Sequence, residues 1–330
     1  MKDCNKRITA DADGIGQAVR ALAANKLVAF PTETVYGLGA NAASDIAVAS
    51  IFAVKRRPSF NPLIVHTASA EDAFALGESS ETAKKLAQHF WPGGLTLVMK
   101  KKHEANVSAL ASAGLETIAL RVPAHPVAQE LLRRFGGAIA APSANPSGSL
   151  SPTLASHVVE ALGDEETIDC ILDAGASGLG LESTVVACLN NGNGAMLLRS
   201  GSIPREDIEA VLGAPLKEVG DEDADVARSS PGRLARHYAP RSALRLRARE
   251  VREEELLLAF GKPLEGARTC LNLSERGCLR EAAANLFAHL AHLDKKAENI
   301  DGTATIAVME IPERGLGVAI NDRLRRGATR

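Results

Sequence analysis

The chain has 330 residues, 45% of them hydrophobic, and a formal net charge of −2 at pH 7. This hydrophobic content excludes a chain that is disordered over most of its length, and at roughly 150 residues per domain the length predicts two domains. The nearly balanced charge excludes a chain-wide attraction to nucleic acid, so any such binding would need a local basic patch.

Cysteine usage and apolar runs indicate the cellular setting. The five cysteines, Cys4, Cys170, Cys188, Cys270 and Cys278, are scattered and include no Cys-x-x-Cys pair. This pattern argues against a disulfide framework and a structural zinc site, and it predicts a reducing, cytoplasmic location. The first residues lack the apolar core of a signal peptide, and no apolar run approaches the ~20 residues of a membrane span. We therefore expect no membrane association.

Helical and strand patterns alternate along the first 216 residues, which is typical of an α/β domain. Apolar residues at helical spacing predict helices at 13–26, 44–54, 68–90 with a break near Gly77, 126–134 and 204–212. Short apolar runs predict strands at 27–30, 63–65, 95–99, 117–122, 138–141, 168–172, 183–188 and 196–198.

The composition changes after residue 216. Residues 217–241 are polar, first acidic and then basic, with little periodicity, and this predicts a linker. Beyond it, helices at 279–293 and 318–326 flank a strand at 305–311, and this alternation predicts a small α/β domain over residues 242–330.

Three consecutive cations, Lys55, Arg56 and Arg57, stand at the end of a predicted helix and directly before Pro58. Two interpretations are open. Cations in a last helical turn interact favourably with the helix dipole, so the run could be a solvated helix end. Cations beside a rigid, proline-set turn could instead bind an anion.

A polar loop follows the first long strand, in the segment FPTETVYGLGAN. It carries the hydroxyls of Thr32 and Thr34 and the carboxylate of Glu33 among glycines. Polar side chains just past a strand end are typical of a ligand crevice in an α/β sheet. A plain connecting loop is an equally good interpretation of this segment alone.

A second polar loop, PSANPSGSLSPT, follows the strand predicted at 138–141. Ser143 and Asn145 have no structural role visible in the sequence, and their side chains are able to bond phosphate or ribose oxygens. Ser151, followed by Pro152, predicts the start of a helix. The alternative is an ordinary turn rich in Ser, Asn and Pro.

Other chemical signals are few. Arg121 lies near the end of an otherwise apolar strand. A lone arginine at such a position is more often a surface residue than a ligand contact, but inside an apolar strand it needs an anionic partner. The segments GxGxxG, GxxxxGK[ST], HExxH and GxSxG are absent. The usual grounds for predicting dinucleotide binding, P-loop phosphate binding, zinc hydrolysis or serine hydrolysis are therefore missing.

Seven segments taken together are more specific than any one of them: FPTETVYGLG, KRRPSFNPLIVH, WPGGLTLV, RVPAHPVAQELL, APSANPSG, LESTVV and LRSGSI. In this order they resemble the YrdC-type domain of threonylcarbamoyl-AMP synthases. In that family, a Lys-x-Arg and a Ser-x-Asn pair mark the active site, and they match Lys55/Arg57 and Ser143/Asn145. The segments SPGRLARHYAP and ATIAVMEIPERGLGVAINDRL resemble the longer, two-domain form, so the resemblance covers nearly the whole chain.

The resemblance implies a fold of the α/β class. It implies a twisted, open, mixed sheet with flanking helices over residues 1–216, and a linker at 217–241 that crosses the active-site cleft. A small Rossmann-like α/β domain at 242–330 would follow. The implied enzyme is a nucleotidyltransferase that joins L-threonine, bicarbonate or CO₂, and ATP with Mg²⁺, and releases pyrophosphate. A separate tRNA threonylcarbamoyl transferase would use the product, threonylcarbamoyl-AMP, to make t6A; direct tRNA binding is a weaker implication.

The resemblance also implies roles for individual residues, and Arg121 suits the substrate carboxylate because a guanidinium matches a carboxylate bidentately. The implied catalytic residues are Lys55, Arg57, Ser143 and Asn145. The implied threonine pocket comprises Thr34, His66, Arg121, the Ala141 backbone and Ser183. The implied ATP site comprises Arg57, Asn61, Thr117, Ser143, Ser151, Arg199, His237 and Tyr238. No protein side chain is implied as a metal ligand.

Two other classes of function remain open at this stage. YrdC-type domains also occur in carbamoyl-transfer proteins of hydrogenase maturation, but those chains carry acylphosphatase and zinc-finger parts that this chain lacks. A non-catalytic RNA-binding module would need aromatic stacking platforms, and aromatic residues make up only 3% of this chain.

Overall fold

The computed structural model describes residues 6–189, 194–219, 238–298 and 304–329. Most of the predicted linker, including His237, lies outside the described residues, so the linker and the domain boundaries stay predictions. Among the described residues, no helix is long and apolar enough to cross a membrane.

One mixed sheet organises the described residues up to 219. Its strands are β1 Arg7–Thr9, β2 Leu27–Phe30, β3 Gly37–Asn41, β4 Ile64–His66, β5 Gly77–Glu78, β6 Leu95–Lys101, β7 Thr117–Arg121, β8 Ile139–Ala140, β9 Ile168–Asp173, β10 Thr184–Ala187 and β11 Met196–Arg199. The strand order is β1-β9-β2-β3-β8-β4-β7-β6-β10-β11, and β5 pairs with β6. The sheet contains parallel pairs such as β4–β7 and antiparallel pairs such as β6–β7, which confirms the predicted mixed sheet.

Helices flank this sheet: α1 Ala12–Ala23, α2 Asp45–Lys55, α3 Ala70–Leu76, α4 Glu81–Phe90, α5 Pro126–Phe135, α6 Ala155–Leu162 and α7 Arg205–Leu212. The side chains of Asp11, Ser44, Ser69 and Ser80 accept hydrogen bonds from backbone N–H groups in the first turns of α1 to α4. These caps satisfy donors that have no partner inside a helix, and they explain why the helices begin at these residues.

The strand β3 was not predicted, because its sequence is rich in glycine, which has a low strand propensity. It runs antiparallel to β2, with Gly37 opposite Phe30. A Cβ atom on Gly39 would lie 2.8 Å from the Phe30 ring and 2.9 Å from the Ile139 side chain. The glycine is therefore needed for close packing of neighbouring strands, and the loop interpretation of this segment is wrong from residue 37 onward.

The predicted helix start at Ser151 is also wrong. The helix α6 begins at Ala155, and its N-cap residue, Leu154, makes no side-chain capping bond. The Ser151 side chain is buried and donates instead to Glu182. A buried carboxylate far along the chain has displaced the local capping role that the sequence suggested.

The described residues from 238 onward form a second, parallel sheet. Its strands are β12 Leu244–Ala248, β13 Leu256–Ala259, β14 Cys270–Asn272 and β15 Ile306–Met309, in the order β12-β15-β13-β14. Two helices accompany it: α8 Leu279–Glu298 and α9 Leu316–Ala328. All neighbouring strands are parallel, as expected for the predicted small Rossmann-like region.

The two sheets are joined by a shared apolar core. Val35 and Leu181, from the first region, belong to the same buried cluster as Leu286 and Phe287 of α8. At Gly180, where φ is +68°, a Cβ atom would lie 2.3 Å from a backbone oxygen of α8, so only glycine allows this close approach. The segment before Glu182 therefore rests directly on the second region.

Candidate active site

One cavity brings together most of the residues implied by the sequence resemblance. Its lining includes Thr34, Arg57, His66, Arg121, Ala141, Ser143, Ser183, Arg199 and Tyr238. The parallel strands β4 and β7 end at the same edge of the sheet, and their last residues, His66 and Arg121, lie opposite each other. The cavity thus occupies a strand-end position that is typical of ligand sites in α/β sheets.

Arg121 already has an anionic partner from the chain, the carboxylate of Glu33. Arg121 is 4% exposed, and its Nη2 lies 2.5 Å from Glu33 Oε1. The other carboxylate oxygen, Oε2, accepts hydrogen bonds from the backbone N–H groups of Ala124 and His125. Burial alone would raise the pKa of Glu33, but the charge and hydrogen bond of Arg121, together with backbone hydrogen bonds, hold this pKa below its usual value. We call Glu33, Arg121 and these two amides the Glu33 network.

Uncharged polar atoms lie next to the Glu33 network. His66 is fully buried, and its Nδ1 has no hydrogen-bond partner among the described residues. Burial, assisted by the charge of Arg121, lowers the pKa of His66 to about 3, so the imidazole is neutral near pH 7. The Thr32 hydroxyl donates to the carbonyl of Val35, so Thr34 must be the donor in the 2.8 Å contact between the two threonine hydroxyls. The oxygen of Thr34 remains able to accept a hydrogen bond.

Two guanidinium groups give the cavity a positive charge. Arg57 donates to the carbonyl oxygens of Asn61 and Pro62, and Arg199 donates to the carbonyl oxygen of Ser183. Burial, and then repulsion from Arg199, lower the pKa of Arg57 to about 10, so it stays charged at neutral pH. Two mutually repelling cations on one cavity favour the binding of an anion.

Lys55 does not line the cavity, although it belongs to the Lys-x-Arg pair. It is 1% exposed, and its ammonium group donates to the backbone oxygens of Ser143 and Asn145. Burial, and then the nearby Arg57, lower its pKa well below the usual value. The solvated-helix-end interpretation is therefore wrong for Lys55 and right for Arg56, which is exposed. Lys55 fixes the loop that presents Ser143 to the cavity.

Four other implied residues, Asn61, Thr117, Asn145 and Ser151, are not among the cavity-lining residues. Asn61 meets Arg57 through its backbone oxygen, and the Asn145 amide donates to the backbone of its own loop. Thr117 is the first residue of β7 and Arg121 is the last. At a rise of ~3.3 Å per residue, Thr117 lies roughly 13 Å along the strand from the cavity-lining Arg121.

A second buried ion pair was missed by sequence reasoning. Glu182 lines the cavity; its Oε1 accepts a hydrogen bond from Ser151, and its Oε2 lies 3.0 Å from Nε of Arg323 in α9. Burial alone would raise the pKa of Glu182, but the charges of Arg323 and then Arg199 lower it. We call Glu182, Ser151 and Arg323 the Glu182 network. The sequence offered one indication of this pair, the position of Glu182 within the segment LESTVV. No local pattern identifies Arg323, which is 141 residues away, as its partner.

Tyr238 is the described residue of the predicted linker that reaches the cavity. It is 2% exposed and packs against the ring of Phe287, with ring centroids 5.7 Å apart. The guanidinium carbon of Arg323 lies 4.9 Å from the centre of the Tyr238 ring, in cation–π contact. Tyr238 therefore links the cavity to the second region.

The described residues contain no group of three or more His, Cys, Asp or Glu side chains that could hold a metal ion. The carboxylates of Glu33 and Glu182, at the cavity, are each paired with an arginine. This donor set does not favour a metal site made of protein side chains.

Comparison with known families and proteins accounts for nearly the whole chain. Residues 20–201 match a family model described as "Telomere recombination" (Sua5/YciO/YrdC), and residues 203–329 match one described as "Threonylcarbamoyl-AMP synthase, C-terminal domain". A threonylcarbamoyl-AMP synthase of Bacillus subtilis is 39% identical over 99% of this chain and 96% of its own length. One of Pyrococcus abyssi is 41% identical over 92% of this chain and 90% of its own length.

A solved structure agrees with the sequence relatives. The crystal structure of P. abyssi Sua5 complexed with L-threonine superposes with a TM-score of 0.84 and 37% sequence identity, covering 98% of this chain and 96% of that one. The family models and these relatives together span both regions of the fold. The chain belongs to the threonylcarbamoyl-AMP synthase family, in its two-domain form.

Proposed function

We propose that the chain is an L-threonylcarbamoyladenylate synthase, a nucleotidyltransferase that joins L-threonine, bicarbonate or CO₂, and ATP. The observation that carries this proposal is the juxtaposition, in one cavity, of two arginine cations, Arg57 and Arg199, with the neutral His66 and Thr34. The cations suit phosphate oxygens, and the neutral atoms suit the ammonium and hydroxyl groups of an amino acid.

The main obstacle to this reaction is the mutual repulsion of three anions: a carboxylate, a carbamate and a triphosphate. Fixed cations in a cavity that excludes water offset this repulsion more strongly than they would in solution. Arg57 and Arg199 are held by backbone oxygens and are thus fixed before substrate arrives. We assign the phosphates and the bicarbonate-derived group to these two arginines.

L-Threonine would bind beside the Glu33 network. A guanidinium has five N–H donors, and in Arg121 the bonds to Glu33 and Gly93 use Nη2 and Nε. Arg121 is thereby able to bind the substrate carboxylate without leaving Glu33. Nδ1 of His66 and the oxygen of Thr34 would bind the substrate hydroxyl and ammonium, and the backbone of Ala141 and the hydroxyl of Ser183 complete the pocket.

The reaction then needs no covalent bond to the protein. The ammonium of threonine first loses a proton, and the resulting amine attacks the carbon of bicarbonate or CO₂ and forms a carbamate. Water is lost in the case of bicarbonate, and a second proton is released in the case of CO₂. A carbamate oxygen attacks the α-phosphorus of ATP, the bond from this phosphorus to the bridging oxygen breaks, and pyrophosphate leaves with that electron pair. Ser143 would bond the nucleotide, while Lys55 and Asn145 hold the loop that presents it. Positioning and electrostatics supply the rate.

Mg²⁺ would enter with ATP rather than occupy a site of its own. Mg²⁺ is usually held by substrate phosphates and water together with one or two carboxylates, and it would share the charge of the triphosphate. In this site, the described side chains position the phosphates.

The linker would close the cavity over the reactive adenylate, which hydrolyses in water. The described end of the linker supports this role, because Tyr238 lines the cavity and the N–H of Ala239 donates to the carbonyl of Gly148. Asn61, Thr117 and His237 remain predicted ATP contacts. A tRNA threonylcarbamoyl transferase in the cytoplasm would consume the product.

The proposal is tested by measuring pyrophosphate release with each substrate omitted in turn. We expect release only when ATP, L-threonine and bicarbonate are all present, together with one threonylcarbamoyl-AMP per pyrophosphate by chromatography. Release that does not need threonine would contradict the proposal, and release with carbamoyl phosphate in place of threonine and bicarbonate would favour a carbamoyl-transfer protein.

A further inference from the structure

A single arginine of the second region is buried against the first. Arg323, in α9, is 1% exposed. Its Nε lies 3.0 Å from Glu182 Oε2, its Nη2 donates to the carbonyl of Ser200 at 2.9 Å, and its Nη1 donates to Asp322. One side chain therefore contacts two separate segments of the first region.

These two segments are the ones that carry cavity residues. Glu182 directly precedes Ser183, and Ser200 directly follows Arg199. Ser183 and Arg199 line the cavity and hydrogen bond to each other. The segments also pack closely, since a Cβ atom on Gly201 would lie 2.4 Å from the carbonyl oxygen of Glu182. Arg323 thus connects two adjacent segments from the side of the second region.

Arg323 also determines the charge that Glu182 presents to the cavity. Glu182 interacts electrostatically with Arg323 and, more weakly, with Arg199. Of these two cations, only Arg199 would remain to interact with the buried Glu182 carboxylate if Arg323 were absent. A stronger pairing of Arg199 with Glu182 would withdraw Arg199 from an anionic ligand.

We propose that Arg323 is a positioning residue for the nucleotide: by pairing with Glu182 and binding Ser200, it keeps Arg199 available to the phosphates of ATP. This inference rests on the proposed function and deepens it, since it gives the second region a direct role in ATP binding. Arg323 acts through Glu182 and Ser200. The main proposed threonine contacts, Arg121, His66 and Thr34, take no part in these contacts. Ser183 is the one residue of the proposed threonine pocket that adjoins Glu182, so we expect threonine binding to be affected much less than ATP binding.

The test is calorimetric binding of ATP with MgCl₂, and separately of L-threonine, to the full chain and its variants. In Arg323→Met, we expect ATP binding roughly tenfold weaker and threonine binding unchanged within twofold. The double variant Arg323→Met/Glu182→Gln removes the unpaired carboxylate and is expected to recover part of the ATP affinity. The matched control is Arg325→Met, two residues along the same helix, where the arginine is 52% exposed and paired with Glu313. We expect the control to bind both ligands like the unaltered chain.

Each result decides the inference. Unchanged ATP binding in Arg323→Met would overturn it, and so would equal losses of ATP and threonine binding, because these would indicate a merely structural role. If Arg323→Met does not fold, Arg323→Lys decides, since lysine keeps the charge but does not bond Glu182 and Ser200 as a guanidinium does. About threefold weaker ATP binding would support the inference and unchanged binding would overturn it. If the unaltered chain binds no ATP at all, the proposed function itself fails.

Discussion

The cavity is bordered by two buried Glu–Arg pairs that differ in how they are assembled. The Glu33 network is formed entirely within the first region, from the end of β7 and the loops after β2 and β7. The Glu182 network requires Arg323 from the last helix of the second region. One cavity therefore combines a self-contained part, proposed for threonine, with a part proposed for ATP that depends on the second region.

The surroundings of the two pairs differ as well. The side chain of Glu33 is 16% exposed and keeps two backbone N–H donors, whereas that of Glu182 is 8% exposed and keeps the Ser151 hydroxyl. Removing one partner from a buried ion pair is more costly when the remaining charge has fewer donors and less water. The Glu182 network is therefore the more sensitive of the two.

Substrate selection tests the Glu33 network first. We expect threonine to be preferred over valine by as much as ~10⁴-fold in catalytic efficiency, because the acceptor that binds the substrate hydroxyl, either Nδ1 of His66 or the oxygen of Thr34, would be left without a partner. Serine lacks only a methyl group, worth about 1–3 kcal/mol, and should be the better competitor. The rate of pyrophosphate release with each amino acid measures these ratios. A catalytic efficiency with valine comparable to that with threonine would contradict the proposed contact to the substrate hydroxyl.

The stability of the two pairs is compared by replacing each arginine with methionine. Arg323→Met is expected to lower the free energy of unfolding by about 3–5 kcal/mol, and Arg121→Met by less, because Glu33 keeps its backbone donors. Urea unfolding of both variants measures the difference. The reverse ranking would show that the Glu33 network, and not the Glu182 network, is the more sensitive pair.

Removing the cation Arg57 tests whether the cavity between the two networks binds an anion. We expect Arg57→Ala to reduce the rate of pyrophosphate release by roughly 10²–10³-fold with little change in unfolding temperature, because one fixed positive charge is lost. Arg56→Ala is the matched control, since Arg56 is exposed and precedes Arg57 directly. Equal turnover of Arg57→Ala and the unaltered chain, at saturating substrates, would refute the assignment of Arg57.

The pH dependence of stability reports on His66. Its pKa is about 3 in the folded chain and about 6.5 when unfolded, so the unfolded state binds one more proton between these values. Stability should therefore fall as pH falls below 6.5. Between pH 6 and 5, His66→Gln is expected to lose about 1 kcal/mol less stability than the unaltered chain, as measured by urea unfolding. Other histidines contribute equally to both proteins, and identical slopes would show that folding does not lower the pKa of His66.

Local patterns were enough to predict much of the fold and part of the cavity. The spacing of apolar residues located α2, and the segment FPTETVYGLG located Thr34 beside a strand end. Glycine-rich β3 was missed because its strand is stabilised by close packing around Gly39, not by strand-forming side chains. The role of Arg323 was missed because Glu182 and Ser200 lie more than a hundred residues away along the chain, and a single arginine in an amphipathic helix resembles any surface arginine.

We place the threonine site beside the Glu33 network and the ATP site beside the Glu182 network. A crystal structure with L-threonine and a non-hydrolysable ATP analogue would test both placements at once. We expect the carboxylate of threonine within hydrogen-bond distance of Arg121, and the phosphates within that distance of Arg57 and Arg199. A nucleotide bound away from both arginines, or a threonine that does not contact Arg121, would contradict this account.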